Sequence, residues 1–368
     1  MGQGRAALLI SGETIESVGF SGDIPNGCQL YDFGEALVVP GFVDIHVHGG
    51  DGLDFVDMKE GSFEKIAAYH LSKGTTTLCP TLTSCAFDKT LTFLDYYKKL
   101  KDKSFFAGVH LEGPFLSPEM CGAQNLSHLI LPAKEYTQKL FPYCDVISSI
   151  TVAAELEGAP EFISQLKERG VRVSVGHSAA TGDQLRKCKA LGADRITHMF
   201  CATPKRYKEG SFVVGGFEET ALTESGFFLE LIADGHHVCR ECFEIAARCK
   251  GIDNIIAISD AMRASGQNTS ESFLGEVKEE NRVIVEDGVA KLLDRSSFAG
   301  SVTNGEKMFE VLHKKYGYSV ADTSKMLSET PSRYLGLEKL GKIERGYKAD
   351  LAIIDNFKVI KTIKNGRI

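Results

Sequence analysis

The sequence predicts a (β/α)8 barrel of the TIM type with a small β-sandwich domain formed by both chain termini. Short apolar runs alternate with amphipathic segments through the middle of the chain, which is the pattern of a parallel sheet with crossover helices. Eight such units over roughly 290 residues fit a closed barrel better than an open sheet. The two ends differ from the middle, because they contain short strand-like stretches separated by turn residues.

Each predicted barrel strand is a short apolar run that precedes or follows an amphipathic segment. In chain order the strands are Gly41–Val47, Thr75–Pro80, Phe105–Leu111, Ile147–Ala153, Val171–Val175, Arg195–His198, Phe227–Ile232 and Asn254–Ser259. Helices are predicted at Ser62–Lys73, Ala159–Arg169, Thr181–Leu191, Cys239–Lys250 and Asn304–Tyr316. Thr181 and Gln184 form a capping box at the start of the third helix. The long irregular connection from Gly113 to Pro132 is predicted to be an active-site loop.

The chain of 368 residues is long enough for a barrel and a small companion domain. We assign residues 41–335 to the barrel. We assign residues 1–40 and 336–368 together to the β-sandwich, because both segments consist of short strands and turns.

Composition and charge exclude several classes of function. The net charge is −7 and no lysine- or arginine-rich block occurs, which disfavours nucleic acids and anionic membranes as partners. No apolar run reaches the ~18 residues that a membrane-spanning helix needs. The first residues lack the basic region of a secretory signal, so we expect a cytoplasmic protein with reduced cysteines. The pair Cys239 and Cys242 has no second pair that would complete a zinc ribbon.

Ionisable side chains recur at the carboxyl ends of the predicted strands, the edge at which barrel active sites form. They are His46, His48, Glu112, His177, His198, His236, His237 and Asp260. Because His46 and His48 are two residues apart, both face the barrel mouth if the strand is regular. Imidazoles and carboxylates that converge there predict a transition-metal site.

Each of these residues also has a simpler interpretation. A single histidine after a strand is more often a hydrogen-bonded structural residue than a metal ligand. Asp260 alone would fit the N-cap of a helix. His236 and His237 cannot both face the site in an extended chain, so one of them has another role. The shared placement of all these residues favours the metal site.

A metal in such a site makes water acidic and polarises a carbonyl group, and a neighbouring carboxylate can transfer a proton to a leaving nitrogen. This chemistry predicts the hydrolysis of an amide or a related bond. The sequence contains no phosphate-binding P-loop, no dinucleotide-binding glycine motif after a strand, no nucleophile elbow and no His-Glu-x-x-His motif.

Several motifs resemble those of the N-acetylglucosamine-6-phosphate deacetylase family within the amidohydrolase superfamily. The superfamily motifs are PGFVDIHVHG at 40–49 and GYKADLAIID at 346–355. The more specific motifs are HLEGPF at 110–115, GHS at 176–178, THMF at 197–200, ADGHHV at 233–238, SDAM at 259–262 and AGS at 299–301. The resemblance covers nearly the whole chain, and it implies the barrel, the β-sandwich of both termini and a homodimer.

The resemblance also implies a role for individual residues. Glu112, His177 and His198 would hold the main metal, and Asp260 would contact it and act first as general base and then as general acid. His46 and His48 would complete a second metal site, so we expect one or two divalent ions per subunit, with zinc, iron, manganese or cobalt all compatible with these ligands. The substrate would be a small amino-sugar phosphate. The expected substrate contacts are Ala123, Gln124, Cys201, Ala202, Arg206, Lys208, His237, Phe298, Ala299 and Gly300.

This sequence departs from the family at residues expected to contact the substrate. Gln124 stands where the family usually has a histidine, and it can donate a hydrogen bond to an oxyanion but cannot supply a positive charge. Cys201 stands where the family usually has an asparagine. A basic cluster at Lys205, Arg206 and Lys208 stands near the family's phosphate-binding arginine, in an uncertain register.

Three hypotheses follow from these departures. In the first, both substitutions are tolerated and the protein deacetylates N-acetylglucosamine 6-phosphate. In the second, the chemistry is kept and the substrate is a different acylated amino sugar or carries its phosphate at a different position. In the third, the protein binds a sugar phosphate without turnover.

Overall fold

The structure, a computed structural model, describes residues 7–19 and 26–368 and contains the predicted barrel. Its eight parallel strands are Phe42–Val47, Thr75–Leu82, Val109–Glu112, Ile147–Val152, Arg172–Val175, Ala193–Ile196, Phe228–Ile232 and Ile255–Ile258. Each strand pairs with the next in chain order. A β-bridge between Val47 and Ala261 links the first strand to the segment that follows the eighth. The sheet therefore closes at its carboxyl edge.

All eight predicted strands differ from the observed ones by at least one residue at one end, and the starts of two have a local explanation. The third strand begins at Val109 and not at Phe105, because Gly108 adopts a positive φ of 89° that interrupts the extended chain. The sixth strand begins at Ala193, two residues before the predicted start, because Gly192 ends the preceding helix and leads directly into the strand.

The helices pack around the barrel and bury a large apolar cluster between themselves and the strands. They are Ser62–Leu71, Phe87–Lys99, Lys134–Leu140, Ala159–Glu168, Gly182–Leu191, Phe217–Thr223, Arg240–Lys250, Gly305–Glu310, Val320–Ser324 and Thr330–Leu335. The predicted helix Asn304–Tyr316 begins at Gly305 and changes to wider π-helical turns over Val311–Lys315. None of the helices in the described segments combines the length and the apolar character of a membrane-spanning helix.

The predicted capping box is confirmed at the helix Gly182–Leu191. The Thr181 hydroxyl accepts a hydrogen bond from the Gln184 amide, and the Gln184 side chain accepts one from the Thr181 amide. We expect Thr181→Ala to lower the free energy of unfolding by about 1 kcal/mol, because the backbone amide of Gln184 loses its side-chain acceptor. Chemical denaturation measures this, with Thr181→Ser, which keeps the hydroxyl, as the control. Equal loss in both variants would contradict the explanation.

The two termini form neighbouring β-sheets on one side of the barrel. The strands Ala7–Ser11 and Thr14–Gly19 pair as a hairpin, and Leu37–Pro40, Leu351–Asp355 and Lys358–Ile363 form an antiparallel sheet. Ile15 packs with Leu351, Ile353 and Ile363 in a separate apolar cluster. This pairing agrees with the expected use of both termini, whereas the division at 1–40 and 336–368 stays a prediction. Residues 1–6 and 20–25 of that segment lie outside the described part.

An insertion after the eighth barrel strand was not predicted from the sequence. It is a three-stranded antiparallel sheet of Glu271–Phe273, Arg282–Glu286 and Val289–Leu292. Its buried side chains Val283 and Ala290 cluster with Met262 and Ala299 near the barrel mouth. A second insertion, the hairpin Tyr207–Glu209 and Phe212–Val214, follows the sixth strand. These strands have only three to five residues and pair with their neighbours along the chain, so they do not show the alternation of strands and amphipathic helices on which the sequence analysis depended.

Candidate active site

The polar side chains predicted at the strand ends do meet at the carboxyl edge of the barrel. Three of these residues, His177, His198 and Asp260, have positive φ angles of 45°, 24° and 51°. Backbone in this region is strained for residues other than glycine, and it persists only where the surroundings enforce it. At each of these residues the backbone turns sharply at the end of the strand, which directs the side chain toward the other two.

The first group of potential metal ligands consists of Glu112, His177 and His198. Glu112 ends the third barrel strand, and both histidines follow the strands that carry them. The His198 Nε2 atom lies 2.8 Å from Glu112 Oε1, and the His177 Nε2 atom lies 3.1 Å from the same oxygen. The other ring nitrogen of His177, Nδ1, lies 2.8 Å from the backbone carbonyl of Met120. A proton on Nδ1 therefore leaves Nε2 free to bind a cation.

The second group consists of His46, His48 and Asp260. The His48 Nε2 atom lies 3.0 Å from Asp260 Oδ1 and 3.3 Å from Glu112 Oε2. The His46 Nε2 atom lies 3.5 Å from Asp260 Oδ1 and 3.6 Å from Glu112 Oε1. The two groups therefore adjoin, with Glu112 between them. Four imidazole nitrogens face two carboxylates.

The electrostatics of these groups show that the site favours positive charge. Burial alone would lower the pKa of His48, but the carboxylates of Asp260 and Glu112 raise it to about 9. Burial alone would raise the pKa of Glu112, but His46, His177 and His198 hold it well below its ordinary value. Burial alone would also raise the pKa of Asp260, but His48 and His46 lower it, and a cation between the two carboxylates would compensate their buried negative charge.

The residues present fit a divalent transition metal. His46 Nε2 and Asp260 Oδ1 are buried and have no hydrogen-bond partner among the described residues. A buried polar atom without a partner is costly, and metal coordination would remove that cost. Imidazole nitrogen combined with carboxylate oxygen is a donor set that zinc, iron, manganese and cobalt all accept.

A buried ion pair beneath the site was missed in the sequence analysis. Glu230 lies on the seventh barrel strand, and its Oε2 atom is 3.3 Å from His46 Nδ1 and accepts a hydrogen bond of 3.2 Å from the backbone amide of His198. Its Oε1 atom lies 3.2 Å from Nη1 of Arg195, and both side chains are fully buried. Glu230 therefore orients His46 and supports the turn that carries His198. The sequence does give one sign of this ion pair, because Glu230 is a charged residue within an otherwise apolar predicted strand.

We expect Glu230→Gln to weaken metal binding about 10- to 100-fold, because a carboxylate that orients a metal-binding histidine is replaced by a neutral amide. Competition with a chelator measures the dissociation constant. The variant also leaves the charge of Arg195 unpaired and so lowers stability. The double variant Glu230→Gln/Arg195→Met removes both charges and should regain stability without regaining metal affinity. Full recovery of metal affinity in the double variant would contradict the orienting role.

A cavity of about 430 Å³ opens above the metal-ligand groups. Several predicted substrate contacts line it, namely Ala123, Gln124, Cys201, Ala202, His237, Phe298 and Gly300. Ala299 is fully buried behind the wall. His237 Nδ1 lies 2.6 Å from Asp234, and its ring packs on Phe298 with the centroids 4.6 Å apart. His236 is exposed, so the structure places one histidine of this pair at the cavity and the other outside it.

A family model described as the amidohydrolase family matches residues 37–368. The chain belongs to the amidohydrolase family. Among its relatives, the N-acetylglucosamine-6-phosphate deacetylase of Lysinibacillus sphaericus is 32% identical, with 92% of this chain and 87% of the relative covered. The N-acetylgalactosamine-6-phosphate deacetylase of Escherichia coli O157:H7 is 30% identical, with coverage of 87% and 84%. The crystal structure of the N-acetyl-D-glucosamine-6-phosphate deacetylase of Mycobacterium smegmatis superposes with a TM-score of 0.89 at 28% identity and covers 98% of this chain and 94% of that chain.

Gln124 of this amidohydrolase is held by two hydrogen bonds. Its Nε2 atom donates to Glu112 Oε2 at 2.6 Å, and its Oε1 atom accepts from the backbone amide of Ser84 at 2.8 Å. The side chain thus orients the carboxylate between the two groups of potential metal ligands. One N–H of its amide group is left to face a substrate.

The remaining predicted contacts of the amidohydrolase differ in accessibility. Cys201 lines the cavity, and burial raises the pKa of its thiol, so it is a neutral and weakly polar group there. Arg206 and Lys208 do not line the cavity: both are exposed, and Lys208 lies on the hairpin strand Tyr207–Glu209. The basic residues of the cavity wall are instead Lys291 and Arg295, which the sequence analysis did not single out.

Proposed function

We propose that this amidohydrolase hydrolyses the acetamide bond of N-acetylglucosamine 6-phosphate and releases acetate and glucosamine 6-phosphate. The observation that carries the proposal is the convergence of four histidines and two carboxylates at the floor of the cavity. Two relatives that are at least 30% identical over most of their length are named as deacetylases of N-acetylated amino-sugar phosphates. The cytoplasmic location, expected from the missing features of a secretory signal, and the homodimer, implied by the family resemblance, are further predictions.

In this proposal each residue has a role set by its position. Glu112, His177 and His198 hold one divalent metal, and His46, His48 and Asp260 can hold a second. A metal bound there polarises a carbonyl group and makes water acidic. Asp260 accepts a proton at Oδ1 as the oxygen of water forms a bond to the acetyl carbon. When the carbon–nitrogen bond breaks, Asp260 returns that proton to the leaving amine.

The decisive experiment measures acetate release from N-acetylglucosamine 6-phosphate by metal-replete protein. Unphosphorylated N-acetylglucosamine is the control substrate. Rapid turnover of the phosphorylated sugar alone supports the proposal and shows that Gln124 and Cys201 are tolerated. Absence of turnover on both sugars, with metal bound, would refute it.

A second candidate is a deacetylase of a different acylated amino sugar, and two observations favour it. Gln124 is directed at Glu112 and Cys201 offers only a weak donor, so two expected substrate contacts differ from the family. N-acetylgalactosamine 6-phosphate is the first alternative to assay, because a relative of similar identity is named for it. A binding protein without turnover would release acetate from none of these compounds.

A further inference from the structure

Two cysteines lie at the start of the helix Arg240–Lys250, outside the group of residues assigned to the reaction. Cys239 is the N-cap of this helix, and Cys242 lies in its first turn. The helix begins with a hydrogen bond of 3.1 Å from the amide of Phe243 to the carbonyl of Cys239. These are the two positions whose side chains meet in a capping box. The local fold therefore places the two cysteine side chains next to each other.

The two thiols of this pair are in contact. Burial and a hydrogen bond to the Cys239 thiol raise the pKa of the Cys242 thiol to about 11, so Cys242 is protonated at neutral pH. Residues three apart at the start of a helix have their Cα atoms about 5 to 6 Å apart, within the ~4.4–6.8 Å that a disulfide spans. A bond between the two sulfurs is thus compatible with the first turn of the helix.

The two thiols differ in accessibility. Cys239 is exposed, whereas Cys242 is partly buried against the apolar cluster of the barrel. The positive end of a helix favours a thiolate, which is the attacking form of a cysteine. The exposed carboxylate of Glu241 accepts a hydrogen bond from the Cys239 thiol and is placed to take its proton. An oxidant would therefore meet Cys239 first, and Cys242 would lie behind it as the second thiol.

The pair also lies close to the wall of the cavity. His237, which lines the cavity, precedes Cys239 by two residues. Cys201 lines the cavity as well, and Cys242 is among the ionisable groups near it. Burial raises the pKa of the Cys201 thiol strongly, which makes Cys201 a poorer nucleophile than an exposed cysteine. A bond between Cys201 and Cys242 is the competing product that a test must distinguish.

We propose that Cys239 and Cys242 are a redox-active dithiol that a low-molecular-weight disulfide converts into an intramolecular disulfide. In the first step the Cys239 thiolate forms a bond to one sulfur of the oxidant, and the other half of the oxidant leaves as a thiolate. The Cys242 sulfur then bonds to the Cys239 sulfur, and the second half leaves. The two leaving thiolates take up the two cysteine protons. Two protein thiols are oxidised while one disulfide is reduced to two thiols, and neither metal nor sugar takes part.

The test incubates the metal-replete protein with oxidised glutathione and identifies the product at each cysteine by peptide mass spectrometry. Cys249 is the internal control, because it is exposed on the same helix but lies two turns beyond Cys242. We expect Cys249 to keep a glutathione adduct and Cys239 to be joined to Cys242, with about tenfold less adduct at Cys239 than at Cys249. In Cys242→Ser, the adduct at Cys239 should rise to the level found at Cys249. Circular dichroism checks that this variant is folded.

Three results would overturn the redox-active pair. They are a glutathione adduct that persists at Cys239 in the wild type, a disulfide that joins Cys242 to Cys201 instead, and thiols at Cys239 and Cys242 that stay unmodified. The experiment contains no sugar and measures no turnover. A protein that releases no acetate can therefore still form the disulfide, and an active deacetylase can fail to form it, so the two proposals are tested separately.

Discussion

Replacing Asp260 with asparagine is expected to lower kcat for acetate release by at least about 10³-fold while the protein keeps bound metal. Proton transfer by a positioned acid or base contributes about 10²- to 10⁴-fold to catalysis. An amide has the shape of the carboxylate but cannot accept the proton. Asp260 Oδ1 is buried and lies 3.0 Å from His48 Nε2, among the potential metal ligands at the floor of the cavity.

The measurement pairs steady-state turnover with metal content determined by mass spectrometry. Asp350→Asn is a suitable control, because Asp350 is also a buried carboxylate but pairs with Lys364 in the terminal sheets. We expect the control to change stability and leave kcat nearly intact. Near-normal turnover of Asp260→Asn would refute the assigned proton transfer, whatever the metal content.

Replacing Glu112 with glutamine is expected to abolish turnover and to reduce metal content to a small fraction of the wild-type value. Glu112 lies between the two ligand groups, with His177 and His198 at Oε1 and His48 at Oε2. A neutral amide removes the negative charge that a divalent ion requires, and its N–H group would point at nitrogens that must remain free. Because the proposed reaction requires the metal that Glu112 would hold, the loss should equal or exceed that of Asp260→Asn.

Metal analysis after dialysis against a defined concentration of metal checks this second expectation. Glu306→Gln serves as the control, since Glu306 is buried but pairs with Lys358 on the outside of the barrel. Thermal unfolding of the metal-free proteins excludes a general loss of structure. A Glu112→Gln protein that retained a full complement of metal would show that the ligand set has been assigned incorrectly.

The strand-end residues could be predicted because barrel topology brings distant parts of the sequence to one edge. His46, Glu112, His177 and Asp260 are far apart in sequence, yet each follows a recognisable apolar run. The supporting residue Glu230 could not be assigned a function in the same way. A single charged residue inside a strand does not reveal which histidine it will face, since that depends on the register between strands.

The wall of the cavity was less predictable than its floor for a related reason. Lys291 lies on the last strand of the inserted sheet and Arg295 follows it, and the strands of this sheet have only three to five residues. Arg206 and Lys208 were chosen because of their position near a family motif; both are exposed outside the cavity wall, and their contact with the substrate stays a prediction. The sequence analysis singled out Gln124, but its hydrogen bond to Glu112 depends on three-dimensional contacts that the sequence does not contain.

The inserted sheet after the eighth barrel strand has a consequence for how this enzyme can evolve. The potential metal ligands belong to the barrel, whereas Lys291 and its carboxylate partners belong to a separate segment of continuous sequence. Mutations, or exchange of the whole segment, can therefore change the wall of the cavity while the potential metal ligands stay unchanged. When the wall of a cavity and the groups proposed to carry the reaction lie on different segments, the substrate specificity can change during evolution while those groups are kept.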